Sequence, residues 1–220
     1  GGCRTVIIQT FGARVGSAEV FAWGFAANEH EPVLRTHDRF GHRIDEVEFH
    51  PAWHHLMDLS ISNGLHSLPF ERPPGEGARV VRDALFTMIA QIEAGHGCPI
   101  SMTTSVVPAL RAAPDLAAAW EPVITSRSYQ PDLLPIGAKR GATLGMGMTE
   151  KQGGSDVRAN TSEATPCSDG TYRLSGHKWF TSAPMCDAFL VLAQAPAGLT
   201  CFLLPRILPD GSRNGLRLQR

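Results

Sequence analysis

No stretch of the sequence approaches the roughly 18–20 apolar residues of a membrane span, and no charged start with an apolar run marks a secretory leader. An excess of one charge is also missing. Twenty Lys and Arg face 21 Asp and Glu, for a formal net charge of −1. With no global field to attract a polyanion, nothing electrostatic points to nucleic-acid binding by this segment. The five cysteines, Cys3, Cys98, Cys167, Cys186 and Cys201, are odd in number, far apart and without C-x-x-C spacing. This argues against a disulfide framework or a zinc site and reads as reduced thiols of a cytoplasmic protein. There is no internal repeat, no low-complexity tract, no H-E-x-x-H and no P-loop or G-x-G-x-x-G spacing. An initiator methionine is missing before Gly1-Gly2-Cys3, and the last residues, 216–220, read as an alternating strand without partners. Both ends suggest a fragment.

What is present is enough for a core: 43% of residues are hydrophobic and 19% charged, an ordinary globular balance. Residues 1–140 read mainly as helices. Ser17–Asn28 has a serine N-cap and apolar residues at helical spacing. Pro51–Asn63 has proline in its first turn, an apolar face of Trp53, Leu56, Met57 and Leu59, and Gly64 beyond its end. Glu76–Ala94 carries Val80, Val81, Ala84, Leu85, Met88, Ile89 and Ile92 at i, i+3, i+4, closed by Gly95. Shorter helices are expected over Met102–Ala112 and Asp115–Trp120, with Pro114, Pro122, Pro131 and Pro135 breaking up the rest. Near Gly141 the period shortens towards two. Leu144–Thr149, Tyr172–Ser175, Ala188–Gln194 and Thr200–Pro205 read as strands, with turns at Ser168-Asp169-Gly170 and Pro209-Asp210-Gly211. The order is a helical domain, 1–140, then a partial β domain, 141–220: an α+β chain.

The most informative string is Gly147-Met148-Thr149-Glu150-Lys151-Gln152-Gly153-Gly154-Ser155-Asp156-Val157-Arg158-Ala159. It reads as a strand end running into a loop. Thr149 offers a hydroxyl, and Gly153 and Gly154 can take positive φ and allow close backbone approach. Successive N–H groups in such a turn can form an anion-binding nest, beside the Ser155 hydroxyl. Together they could hold a heteroaromatic ring at one end and a phosphate at the other. A Gly-Gly-Ser-Asp alone, however, is also a common capped turn.

The whole string resembles the first signature of the acyl-CoA dehydrogenase family, and every restricted position of that signature is matched. A second string, Ser175-Gly176-His177-Lys178-Trp179-Phe180-Thr181-Ser182, resembles the family's strand that lies against the flavin. Aligned on Lys178, Phe180 falls on the family tryptophan and Ser182 on its threonine, with Trp179 one position early. Asp45 to His54, Gly145 to Asp156 and Leu208-Pro209-Asp210-Gly211 resemble the alkylation-response, AidB-like branch, as does Lys151-Gln152 in place of the commoner Pro-x.

The resemblance implies an all-α N-terminal domain followed by the start of a middle β-barrel or sandwich domain, without the C-terminal helical bundle. It implies FAD as cofactor. Met146, Gly147, Met148 and Thr149 would line the flavin, with Glu150 in the same motif as a structural residue. Gly153, Gly154 and Ser155 would approach the pyrophosphate, Ser155 would also touch an acyl-CoA-like ligand, and Phe180, Thr181 and Ser182 would support the isoalloxazine. The family reaction is α,β-dehydrogenation of an acyl thioester, with a glutamate base in the C-terminal bundle, so no catalytic residue is assigned here. The fragment by itself would bind FAD weakly or not at all. The family is usually a homotetramer, and in the AidB-like branch DNA contact falls to the C-terminal domain. A flavoenzyme, a DNA-protecting flavoprotein and an inactive truncated product all stay open on these residues.

Other groups read more plainly. His50 and His54, at i, i+4 with His55 beside them, could chelate a metal, but packing or capping is the simpler reading. Trp53 and Trp120 read as core anchors. Asp132 and Lys139-Arg140 read as solvated loop charges, with Lys139-Arg140 as a candidate border of a ligand channel. Arg35, Arg39 and Arg43 read as a scattered surface group.

Overall fold

The computed structural model describes residues 2–219, with side chains from Thr5 onward. The chain opens with α1 (Gly2–Val15) and α2 (Ala18–Glu29). Ser17 caps α2, its hydroxyl accepting from the Val20 N–H at 3.4 Å. α1 has no counterpart among the helices expected from the sequence. A hairpin, β1 (Val33–His37) and β2 (Arg43–Glu48), then interrupts the helices. It has no counterpart in the expected elements either, because β2 is charged at four of its six positions, Arg43, Asp45, Glu46 and Glu48. Arg35 pairs with Glu48 across it at 2.9 Å, so Arg35 belongs to a strand.

α3 (Pro51–Ser62) follows the expectation closely, with Gly64 at φ 73 beyond its end. α4 (Ala78–Ala90) is shorter than expected. It starts after Gly77 at φ 72 and stops before Gly95, which does not take a left-handed conformation. α5 (Gly97–Leu110) and α6 (Pro114–Ile124) each contain a proline, Pro108 and Pro122. Pro114 starts α6, and Pro122 fails to end it. Thr125 N–H still donates to Glu121 O at 3.0 Å, so only the one bond that a proline nitrogen cannot make is given up.

Phe11, Val20, Trp53, Leu56, Leu85 and Ile89 centre the helical core, and Trp120 anchors a second one. That second core joins α5 and α6 to the sheet through Val106, Val107, Ile124, Leu144, Ala188 and Leu190. The sheet has β3 (Leu144–Gly147), β4 (Glu163–Pro166), β5 (Tyr172–Ser175), β6 (Ala188–Ala195) and β7 (Gly198–Pro205). β6 is its spine, parallel to β3 and β4 and antiparallel to β7. Its residues alternate in direction. Ala188 and Leu190 join the helix-facing core, and Phe189 and Val191 join a third cluster with Ala183 and Cys186. Burial of both faces explains why β6 reads as an unbroken apolar run.

Gly170 at φ 82 makes the expected β4–β5 turn and Gly211 at φ 86 the later one. Residues 216–219 form no strand. Leu218 is buried, its carbonyl accepts from Arg43 at 2.8 Å, and Leu216 packs against the cluster around Phe189. Arg220 and the Cys3 side chain lie outside the described parts. Cys98, Cys167, Cys186 and Cys201 are free thiols. No helix among the described residues is long and apolar enough to cross a membrane.

Candidate functional site

The two strings singled out in the sequence meet edge to edge. Ser182 N–H donates to Met146 O at 2.8 Å and Met146 N–H to Ser182 O at 3.3 Å. Further along, Trp179 N–H donates to Thr149 O at 2.8 Å. β3 therefore has β6 on one side and residues 179–182 on the other. The glycines of β3 make this approach feasible. A Cβ on Gly145 would lie 2.3 Å from Ser182 O, and one on Gly147 would press on Val191, Thr181 and Lys178.

Glu150 clamps the junction. It is 3% exposed, and it accepts from Lys178 Nζ at 2.6 Å, Thr161 N at 2.6 Å, Thr161 Oγ1 at 3.0 Å and Ser162 N at 3.1 Å. Burial pushes its pKa up, but the contacts with Lys178, Ser162 and Thr161 outweigh burial and hold it at about 2. A carboxylate so strongly bound is a poor proton acceptor at neutral pH. Its place is structural, tying the loop after β3 to the segments before β4 and after β5. The role of Lys178 in this clamp was not anticipated. The available signal was a lysine in the second string with an acid in the first.

Gly153 takes φ 140 and its N–H donates to Glu150 O at 3.0 Å. Gly154, by contrast, does not take positive φ. It must be small because a Cβ there would lie 2.8 Å from Thr149 Oγ1. Beyond it, the N–H groups of Gly154, Ser155 and Asp156 donate to no group among the described residues. Ser155 is exposed.

Phe180 is 78% exposed, with φ 57, and lies edge-on to the half-buried Trp179 ring at 5.5 Å. Ala183 closes the same turn at φ 56. Two non-glycine residues in the left-handed region within four positions mark a turn whose shape is enforced by its surroundings. The strip thus offers hydroxyls (Thr149, Thr181, Ser182), an open aromatic face and a run of free N–H donors. That set can receive a flat heteroaromatic ring and an anionic tail.

Other candidates fall elsewhere. His50 caps α3, accepting from Ala52 N at 3.2 Å, His54 lies 2.7 Å from Tyr129 Oη, and His55 packs on Trp23. No group of three metal-ligating side chains occurs among the described residues. Lys139 overturns its reading as a solvated charge: it is buried, pairs with Asp187 at 2.9 Å and donates to Gln130 O and Asp132 O. It cannot border a channel, because all three of its N–H bonds point into protein. Arg140 and Asp132 are exposed, as expected. The Ser60, His96, Glu93 relay, with Ser60 Oγ 2.9 Å from His96 Nε2 and His96 Nδ1 2.8 Å from Glu93 Oε2, has the order of a nucleophilic triad. Ser60 is 0% exposed, so the relay ties α3 to the turn before α5 and meets no substrate.

Residues 3–131 match the family described as Adaptive response protein AidB N-terminal domain, and residues 145–220 match Acyl-CoA dehydrogenase, middle domain. The chain is 49% identical over 214 residues to the Putative acyl-CoA dehydrogenase AidB of Escherichia coli K12, covering 97% of this chain and 40% of that protein. Among solved structures, Caenorhabditis elegans ACDH-11 in complex with C11-CoA superposes with a TM-score of 0.83 at 28% identity, over 99% of this chain and 38% of that one. An acyl-CoA dehydrogenase complexed with FAD from Bacillus anthracis shares the fold, with a TM-score of 0.61 at 15% identity over 94% of this chain and 31% of that one. The chain spans about two-fifths of the length of the curated relatives it matches.

Proposed function

Because the chain belongs to the acyl-CoA dehydrogenase family, with an AidB-type N-terminal domain, we propose that it supplies the flavin-facing part of an FAD-dependent oxidoreductase acting on the CH–CH group of an acyl thioester. The observation behind this is the edge-to-edge pairing of residues 146–150 with 178–182, beside a turn of unpartnered N–H groups. FAD, when bound, supplies the hydride acceptor. The chain's own residues bind and orient. Met146, Gly147, Met148 and Thr149 line the ring, and the Thr149 hydroxyl donates where reduced flavin accumulates charge. Gly153, Gly154 and Ser155 receive the diphosphate, and Ser155 also touches the acyl-CoA-like ligand. Phe180, Thr181 and Ser182 back the ring, and Glu150 holds the two strings in register. The boundary between the helical and β domains lies near residue 140 in this reading.

A glutamate base and part of the flavin site would lie in a C-terminal helical bundle beyond these residues, so this chain alone binds FAD weakly or not at all, and the full-length protein would be a homotetramer. A longer protein carrying the chain, made with ample riboflavin, should purify yellow, and acyl-CoA thioesters should bleach its flavin band. A colourless preparation, or flavin content indifferent to Thr149→Val and Ser155→Ala, overturns the proposal.

The match of residues 3–131 to an adaptive-response domain favours one second reading, a flavoprotein that protects DNA from alkylation. With a net charge of −1 on this chain, its duplex contact would fall to a C-terminal domain. Salt-dependent duplex binding without thioester-driven bleaching selects it.

A further inference from the structure

The turn of free N–H donors after Thr149 is largely exposed, and Gly153 and Gly154 lead into it. Left to itself such a segment is loose, because glycine has more backbone freedom to lose than any other residue. A loose turn would bear that cost each time it closed on an anion. Here a chain of side-chain amides holds it in place beforehand.

The chain starts at Gln194, near the end of β6, the strand whose residues 188–191 pair with β3. The Gln194 N–H donates to Ser162 O at 2.7 Å, and its Nε2 donates to Arg158 O and Asn160 O, each at 3.1 Å. Asn160 is 3% exposed. Its Nδ2 donates to Met148 O at 3.0 Å, just before Thr149, and its Oδ1 accepts from Gln152 Nε2 at 3.1 Å. Gln152 Nε2 also donates to Asp156 O at 3.4 Å, and so spans Gly153, Gly154 and Ser155. The Glu150 carboxylate cannot do this, since its partners are Lys178, Thr161 and Ser162.

Both ends of the strip are therefore referred to one strand. β6 holds the ring-facing end through β3, and it holds the turn through Gln194, Asn160 and Gln152. Every link is a neutral amide, so the turn is fixed without a charge being added where a diphosphate would lie. We propose that Gln152, Asn160 and Gln194 are positioning residues, which set the free N–H groups of residues 154–156 at a fixed place relative to Met148 and Thr149, so that the diphosphate of FAD meets a turn already formed. This rests on the flavin reading above. The three side chains act through the backbone of the turn and touch no cofactor themselves.

FAD affinity tests this in the longer protein that carries the chain, with Gln152→Met and Gln194→Met made singly and together. Methionine keeps the length of the side chain and removes its donors. Gln152 is exposed, so Gln152→Met should leave the unfolding temperature of the apoprotein and the absorption band of the bound flavin unchanged. FAD should nevertheless bind about tenfold more weakly, as when one charge-assisted contact to the diphosphate is misplaced. A role in folding alone would do the reverse, moving the unfolding temperature and sparing the affinity of the folded protein. Because both glutamines act through Asn160, the double variant should lose little more than the weaker-binding single variant. Losses that simply multiply, or FAD affinity in Gln152→Met within about twofold of the unsubstituted protein, overturn this proposal and leave the flavin reading standing. An unsubstituted protein that purifies without flavin overturns both.

Discussion

Among the described residues are two buried carboxylate–ammonium pairs, and their surroundings push them in opposite directions. Glu150, paired with Lys178, is held at about 2 because Lys178, Ser162 and the Thr161 contacts outweigh the cost of burial. Asp187, paired with Lys139, is raised, because burial outweighs Lys139, the Thr143 N–H and Arg206. Separation is not the cause, since the pairs measure 2.6 Å and 2.9 Å. The difference lies in how many donors solvate each carboxylate and how deeply it is buried. Backbone N–H groups fixed by a turn replace water around Glu150. Around Asp187, at the entry to β6, the core replaces it. The first pair staples the candidate flavin strip. The second joins the loop before β3 to the sheet, and its contacts, Lys139 with Asp187, Gln130 O and Asp132 O and Asp187 with the Thr143 N–H, offset the burial of Asp187 only in part.

The sharpest way to break this comparison is to remove one ammonium. Lys139→Met leaves Asp187 ionised and buried, and should cost about 3–5 kcal/mol in denaturant unfolding. Because Asp187 binds its proton more tightly folded than unfolded, the variant should regain stability as pH falls through the raised pKa. A loss of under 1 kcal/mol would mean that Asp187 is better solvated than its raised pKa implies. Next in size, Glu150→Gln should cost about 2–3 kcal/mol, since an amide cannot serve Lys178 and the Thr161 and Ser162 N–H groups together. Here the pH dependence reverses. Stability from Glu150 is fully present above its ordinary value of 4.5 and disappears as pH falls towards about 2. The unsubstituted chain should lose stability through that window, and Glu150→Gln should lose measurably less.

These pairs also mark what the sequence could disclose. α3 was legible to within one residue, because proline, an apolar face and Gly64 all agree. In the 147–159 string the positive φ at Gly153 and the close approach at Gly154, against Thr149, were legible, whereas the positive φ expected of Gly154 is not taken. α1 was not, because it has no capping pattern and its apolar residues are spread around the helix. The β1–β2 hairpin was hidden because β2 is charged at Arg43, Asp45, Glu46 and Glu48 and its bulge at Asp45 breaks the alternation with Ile44 and Val47. Lys139 looked solvated because its carboxylate partner is remote in sequence, and no local pattern signals a long-range ion pair. Pro122 looked like a breaker, but tertiary burial of Trp120 and Ile124 carries α6 through it.

Smaller effects sharpen the contrast within the strip itself. Gly154→Val sets a side chain 2.8 Å from Thr149 Oγ1. The turn is exposed and can shift, so the cost should be about 1–2 kcal/mol, at the lower end for overpacking. In a flavin-loaded full-length protein the same change should lower FAD affinity at least about tenfold, roughly the worth of one displaced charge-assisted contact. Equal FAD affinity would detach the turn from the diphosphate.

Phe180→Ala should be nearly silent in stability, within about 0.5 kcal/mol. The ring is 78% exposed, and alanine inherits the same φ of 57. The side chain contributes little to folding and lies on a turn with two left-handed residues, the kind of strained turn that clusters at ligand sites. The flavin reading therefore expects a split: an unfolding curve superimposable on that of the unsubstituted protein, and clearly weaker retention of FAD on dialysis of the full-length protein. If both stay unchanged, the exposed ring is idle and the aromatic contact passes to Trp179. Its half-buried ring would then have to turn outward, and Trp179→Phe would show the FAD loss that Phe180→Ala did not.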